Sequence, residues 1–274
     1  MFTISPSFLR KMVGFRTHGL VSLAISSSSF LHSPLSSQEF VGAVTQAGID
    51  KIAFLRHGKT GKAENGVDFD RQLTNEGREQ ARKSGETFGK TLLPFYEKVL
   101  VSPAPRTVET AEIFLAAAGA SLSTSPAKEK ISSIRIQSLY DGTMQPEGSK
   151  LFQKLGYSPL DDYVNNEDES DRAAARSVLG DYGRSAVTSI YDTVTDASVK
   201  DNDNSLSKRQ TRGSTLLVFG HAVYLSAATL AVANLVGCDE DSEDLVLSAI
   251  TNEAEGFLID VQGRHVNYLS RPRD

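Results

Sequence analysis

The chain has 274 residues, 39% of them hydrophobic and 23% charged, with 21 glycines and 9 prolines, which suits one globular domain plus some extra sequence. A net charge of −5 excludes wholesale nucleic-acid binding. The single cysteine, Cys238, excludes an internal disulfide framework and points to a reducing compartment. No apolar run approaches the ~18 residues that a membrane span needs.

Residues 1–38 carry Arg10, Lys11 and Arg16 and no Asp or Glu. Without those three the rest of the chain holds 26 basic against 34 acidic residues, a net of −8. The segment is Ser-rich ("SLAISSSSFLHSPLSS"), and Phe8, Leu9, Met12 and Val13 can form an apolar helix face beside its basic residues. It reads as a mitochondrial or chloroplast transit peptide. A secretory signal fits less well, because its apolar core at Leu20–Ile25 is short and broken by Ser22. A disordered tail is the alternative, and would leave the protein cytoplasmic. The fold is expected to begin near Ile49 and run to residue 274.

From there apolar runs alternate with amphipathic stretches. "KIAFL" (51–55) is a buried strand, and the sequence from Leu73 opens a helix with Thr74 as its N-cap. "KVLVS" (98–102) is a second strand and Arg106–Ala118 a second helix. "SSIRIQS" (132–138) alternates as a third strand, and residues 171–197 form a long helix interrupted by Gly180 and Gly183. Residues 200–214 are polar and read as a surface loop. "TLLVFG" (215–220) is a fourth strand, followed by a helix closing on Gly237. "EGFLIDV" and "RHVNYLS" flank Gln262-Gly263 as a C-terminal hairpin. Such alternation predicts an α/β three-layer sandwich, with a mostly parallel sheet and helices on both faces.

In such sheets ligands bind beyond the carboxyl ends of the strands. Arg56-His57 follows the first strand, Arg106 the second, and Gly220-His221 the fourth. The stretch "AFLRHGKT" also fits a relaxed phosphate-loop pattern, from Ala53 to Gly58-Lys59-Thr60. A phosphate loop needs a small, Gly-rich interior, and here Phe54, Leu55, Arg56 and His57 fill it. That excludes the nucleotide-binding reading.

The blocks "LRHGKT", "LTNEGREQA", "VLVSPAPRTVETAE" and "LLVFGHA", in this order, resemble the histidine phosphatase superfamily, which includes the cofactor-dependent phosphoglycerate mutases and many small phosphatases. The resemblance covers residues 50–120 and 214–270. It implies that His57 is the nucleophile and that Arg56, Arg106 and His221 bind the phosphoryl group. Chemistry supports the same assignment. A neutral imidazole can take a phosphoryl group and split one hard step into two. Neighbouring positive charge keeps it neutral near pH 7 and stabilises the transferring oxygens. Arginine's planar fork suits a phosphate, so no metal or cofactor is called for.

Thr60, Gly58 and Asp141 are candidates for further substrate contacts. The proton donor to the leaving group is sought in "SLYDGTMQPEGSK", where Glu147 is preferred over Asp141; either can equally be a solvated loop charge. The acid-phosphatase and phytase branch carries Asp directly after the second histidine, where this chain has Ala222. Lys59 adds positive charge suited to a strongly anionic substrate, or is an exposed side chain. The middle segment, 120–213, would form a cap over the pocket. Its acidic stretch 161–172 reads as a solvated helix lead-in, with the alternative that it repels acidic metabolites and favours a phosphoprotein. The expectation is a metal-independent phosphatase acting through phosphohistidine on a small phosphoester or a phosphoprotein. The alternatives are a mutase-type phosphotransferase and a non-catalytic phosphate-binding protein.

Overall fold

The computed structural model describes residues 33–120, 131–141, 143, 145–200 and 213–272. The transit-peptide reading falls on residues that lie, but for the last six, outside the described ones, and so does most of the polar loop at 200–214.

The first element precedes the expected start at Ile49. Helix α1 (Ser37–Gln46) opens on a reciprocal capping box between Ser36 and Glu39 and buries Phe40 and Val44. A boundary drawn at residue 38 would remove that cap. There follow β1 (Ile49–Arg56), α2 (Asn75–Leu92), β2 (Phe95–Val101), α3 (Pro105–Ala117) and β3 (Ser132–Arg135). The middle segment supplies α4 (Ser138–Asp141), α5 (Pro146–Leu155), α6 (Leu160–Val164) and α7 (Glu169–Lys200). The chain ends with β4 (Ser214–Gly220), α8 (Ala222–Val236), α9 (Glu240–Ser248), β5 (Gly256–Asp260) and β6 (His265–Leu269).

The six strands form one sheet in the order β3-β2-β4-β1-β5-β6. β1 to β4 run parallel, while β5 is antiparallel to β1 and to β6. The C-terminal hairpin is therefore an antiparallel extension of a parallel core. Successive side chains of a strand point to opposite faces, and both faces here are covered. Ile52, Phe54, Leu216 and Val218 pack with α1 and the helices after β3, whereas Ala53, Leu55, Leu217 and Phe219 pack with α2 and α3. This is why the strands read as unbroken apolar runs. Each of the larger ones, Ile52, Phe54, Leu55, Leu216, Leu217, Val218 and Phe219, contributes ~1.5–3 kcal/mol by burial relative to exposure.

Local signals set the helix ends. Thr74 caps α2 by accepting from the Gly77 N–H at 3.0 Å. Gly237 closes α8 in the left-handed region, at φ 76°, where a side chain would be strained. The acidic stretch 161–172 holds the start of α7, where Asp168 accepts from the N–H groups of Ser170 and Asp171. Gly180 and Gly183 do not interrupt α7, contrary to the sequence expectation. Glycine costs about 0.5–1 kcal/mol in a helix interior. The buried stripe Val178, Leu179, Tyr182, Ala186, Val187, Ile190 and Val194 outweighs it. Thus α7 belongs to the main helical layer, and Tyr140 on α4 and Tyr157 after α5 reach the strand ends.

Candidate active site

Strands β2, β4 and β1 lie side by side, and their C-terminal ends place three functional side chains together. The His57 N–H donates to the Gly220 carbonyl at 3.1 Å, and the Ser102 N–H donates to the Phe219 carbonyl at 3.0 Å. His57, His221 and Ser102 thus leave neighbouring strands at one level. The chain then turns against α2. A Cβ on Gly58 would lie 2.4 Å from the Gly77 carbonyl oxygen, and one on Gly77 would lie 2.1 Å from that of Lys59. Both positions need glycine because the two backbones touch. Gly58 spends its N–H on Thr110 Oγ1 of α3, at 3.1 Å, and the Lys59 N–H goes to Gln80 Oε1 at 2.8 Å.

The buried His57 ring has Nδ1 2.7 Å from the Gly58 carbonyl oxygen. A carbonyl can only accept, so Nδ1 carries the proton and Nε2 keeps its lone pair. Burial, then His221, Arg56 and Arg106, hold the His57 pKa well below the ordinary histidine value, against the pull of the Gly58 bond. His221 lies 5.2 Å away between ring centroids, and its Nε2 shares a 2.8 Å hydrogen bond with Ser102 Oγ. Burial and then Arg106 push its pKa down to about 3, with Asp68 opposing. Both rings are therefore neutral at pH 7.

The guanidinium of Arg56 donates from Nη1 to the Thr251 carbonyl at 2.8 Å and lies 4.6 Å from the Tyr157 ring centroid. The loop carrying Thr251 also grips the backbone: Arg56 donates to the Glu255 carbonyl, and Ala254 donates to that of His57. Arg106, on the first turn of α3, donates to Asp68 through Nη1 to the carbonyl and Nη2 to Oδ2, both at 2.7 Å. On each arginine Nε is buried and has no hydrogen-bond partner among the described residues.

Four of the expected residues, Arg56, His57, Arg106 and His221, thus gather at the strand ends. The other expected residues have partners of their own or face solvent. Thr60 pairs with Leu73 in an isolated bridge, and its Oγ1 accepts from Arg71. Lys59 is exposed and ion-paired with Glu76 at 2.6 Å. Asp141 is exposed at the end of α4 and bonded to Gln137, and Glu147 is exposed on the first turn of α5. Sequence reasoning missed Ser102, Asp68, Tyr140, Tyr157 and the Thr251–Glu255 loop. Only Ser102 lies within a recognised block. Among the described residues no group of three or more His, Cys, Asp or Glu could hold a metal ion, and no helix is long and apolar enough to cross a membrane.

Buried, neutral His57 between two guanidiniums is an arrangement for phosphoryl transfer. Residues 52–163 match the family model for the histidine phosphatase superfamily (branch 1), a span holding Arg56, His57 and Arg106 but not His221. No curated protein matches the sequence. Among solved structures the chain is similar to ecdysone phosphate phosphatase from Bombix mori, at 19% identity over 82% of this chain and 94% of that one, with a TM-score of 0.44. It is similar to phosphoserine phosphatase from Entamoeba histolytica at 14% identity over 82% and 97%, with a TM-score of 0.43. It is also similar to the protein histidine phosphatase SixA, at 16% identity over 81% and 95%, with a TM-score of 0.42. Residues 52–163, which place Arg56, His57 and Arg106 at these strand ends, are thus similar to the histidine phosphatase superfamily.

Proposed function

We propose that the protein is a phosphoric monoester hydrolase that works through phospho-His57, on a phosphorylated small molecule or a phosphoprotein. One observation carries this reading: His57 presents a lone pair at Nε2 while both neighbouring arginines keep a buried Nε–H without an acceptor. An unpartnered buried donor costs about 1–3 kcal/mol, more when charged. Phosphoryl oxygens are acceptors that would satisfy both. The N-termini of α3 and α8 begin at the same strand ends and favour an anion there.

In the first step the Nε2 lone pair attacks phosphorus and the bond to the leaving oxygen breaks. The ring gains positive charge as the P–N bond forms, and the Gly58 carbonyl on Nδ1–H stabilises it. Arg56 and Arg106 hold the equatorial oxygens. Water then attacks phosphorus, the P–N bond breaks, and inorganic phosphate leaves with the imidazole neutral again. Glu147 remains the proposed proton donor to the leaving oxygen, and its carboxylate regains that proton from the attacking water. For residues 1–38 the proposal is import into a mitochondrion or chloroplast, checked by the location of a fluorescent fusion to that segment.

The test uses an aryl phosphate, whose leaving group needs little protonation and so separates the nucleophile from the acid. Full-length protein in chelator-treated buffer is expected to hydrolyse it and to form acid-labile phosphoprotein. His57→Ala loses both; Lys59→Ala keeps both. Turnover that survives His57→Ala would sink the proposal, and phosphate binding without turnover would make the protein a binder. An alkyl phosphate assayed with Glu147→Gln reads the acid.

A further inference from the structure

The loop between His57 and α2 was read from sequence as a source of substrate contacts through Thr60. The structure gives it a different task. Arg106 has five N–H donors in a planar fork. Its Nη1–Nη2 edge is taken by Asp68, through the carbonyl oxygen and Oδ2, with Nη1 also 3.5 Å from the Phe69 carbonyl. Its Nε–H, on the other side of the fork, is buried and unpartnered. A planar group fixed along one edge cannot turn, so the Nε side keeps one direction.

Asp68 is itself fixed. Arg71 Nη1 donates to Asp68 Oδ1 at 3.1 Å, Arg71 Nε donates to the Gly61 carbonyl at 3.0 Å, and Arg71 Nη2 donates to Thr60 Oγ1. The adjacent Phe69 packs edge-on against Tyr140, with centroids 4.9 Å apart, and Tyr140 lies 5.9 Å from the His221 ring. A chain of contacts therefore runs from Thr60 through Arg71 and Asp68 to Arg106, braced by Phe69 against the histidine. A carboxylate on an arginine could instead compete with the phosphoryl group. A competitor would take the Nε edge, and Asp68 does not.

We infer that Asp68 is a positioning residue, which holds Arg106 by its Nη1–Nη2 edge so that its Nε edge meets the phosphoryl group. The inference rests on the phosphoryl-clamp reading above. It assigns Asp68 no proton transfer and no contact with the reacting atoms.

The test compares wild type, Asp68→Ala and Asp68→Asn as full-length proteins, by calorimetry with inorganic phosphate and by aryl phosphate kinetics. Losing one charge-assisted bond predicts phosphate affinity lowered about tenfold or more in Asp68→Ala, with KM raised alongside. Asp68→Asn keeps an oxygen on Nη2 and is expected to recover most of the loss, which a merely structural defect would not do. Tighter phosphate binding in Asp68→Ala would overturn the inference in favour of competition. Wild-type affinity and KM in Asp68→Ala would also overturn it, while His57-dependent turnover left the phosphatase reading standing. No phosphate binding and no turnover in wild type would remove both. Should Asp68→Ala fail to fold, Arg71→Ala carries the same test: weaker phosphate binding supports the inference and unchanged binding refutes it.

Discussion

Arg56 and Arg106 are buried to the same degree, 4% and 3% exposed, but different chemistry holds them. Arg56 is held by neutral groups, the Thr251 carbonyl and the face of Tyr157. Burial lowers its pKa from the usual arginine value, and Glu253 acts on it only through space. Arg106 is held by a carboxylate that it shares with Arg71. Burying a charge is costly unless it is paired, so two bare guanidiniums beside two neutral imidazoles would be expensive to fold. The structure divides the work. Arg56 brings charge that no carboxylate quenches by contact, and Arg106, partly neutralised, brings a fixed direction.

The strongest way to break this comparison is to remove each arginine. Losing one preorganised donor to a transferring group costs about 10²–10³ in kcat. Arg56→Ala is expected in that range. Arg106→Ala should fall further, because it strands the Asp68 carboxylate beside the incoming anion. The double variant Arg106→Ala/Asp68→Ala should then recover about tenfold over Arg106→Ala, converting one charge-assisted bond by the usual factor. Asp68→Ala alone lowers activity, so the sign of its effect inverts with the arginine present or absent. If the double variant is no better than Arg106→Ala in kcat/KM, Asp68 does not act through Arg106.

A smaller effect concerns stability. His221 has its pKa pushed down to about 3 in the fold, below the ~6.5 of an unfolded histidine. Between those values the unfolded chain binds more protons, so stability is full above about pH 6.5 and is lost as pH falls. The slope is ~1.4 kcal/mol per pH unit for each such histidine, and His57 shifts in the same direction. The Asp68 pairing does not blur this window. Burial pushes its carboxyl up, but Arg106 and Arg71 leave it below the ordinary Asp value. Urea unfolding at pH 7, 6 and 5 should show the slope, and His221→Gln should flatten it. Arg106 outweighs Arg56 in depressing His221, while Arg56 outweighs Arg106 at His57. NMR titration of the two rings in the arginine variants should show that exchange of order.

Much of the scaffold was legible because its signals are local. Apolar runs at 51–55, 98–102 and 215–220 mark strands buried on both faces, and Arg56-His57, Arg106 and His221 follow them by a few residues. What holds the arginines was not legible, because those contacts are long-range. Asp68 lies 38 residues from Arg106 in a stretch without periodicity, and Thr251 lies 195 residues from Arg56. Ser102 sits inside the quoted "VLVSPAPR", but nothing in that block shows that its hydroxyl meets a histidine 119 residues away. The glycines of α7 misled for the converse reason. Local propensity argues for a break, and packing along one buried face removes it.

The least of the expected effects tests the neutral side of the comparison. Tyr157 is 55% exposed, yet it lies over a guanidinium that is almost wholly buried. A cation over an aromatic face gains roughly 0.5–1 kcal/mol at an exposed site. Tyr157→Leu keeps an apolar cover and loses the ring quadrupole, so kcat/KM should fall only about two- to fivefold. Tyr157→Phe keeps the ring and loses only the hydroxyl, which also acts on the guanidinium, so it should fall between wild type and Tyr157→Leu. An effect of Tyr157→Leu as large as that of Arg56→Ala would mean that the ring decides where Arg56 points. The neutral arm would then be an orienting device like Asp68, and the division between charge and direction would fail. An effect confined to a few-fold would leave direction on the Arg56 side to the Thr251 carbonyl, which a side-chain substitution at position 251 does not remove.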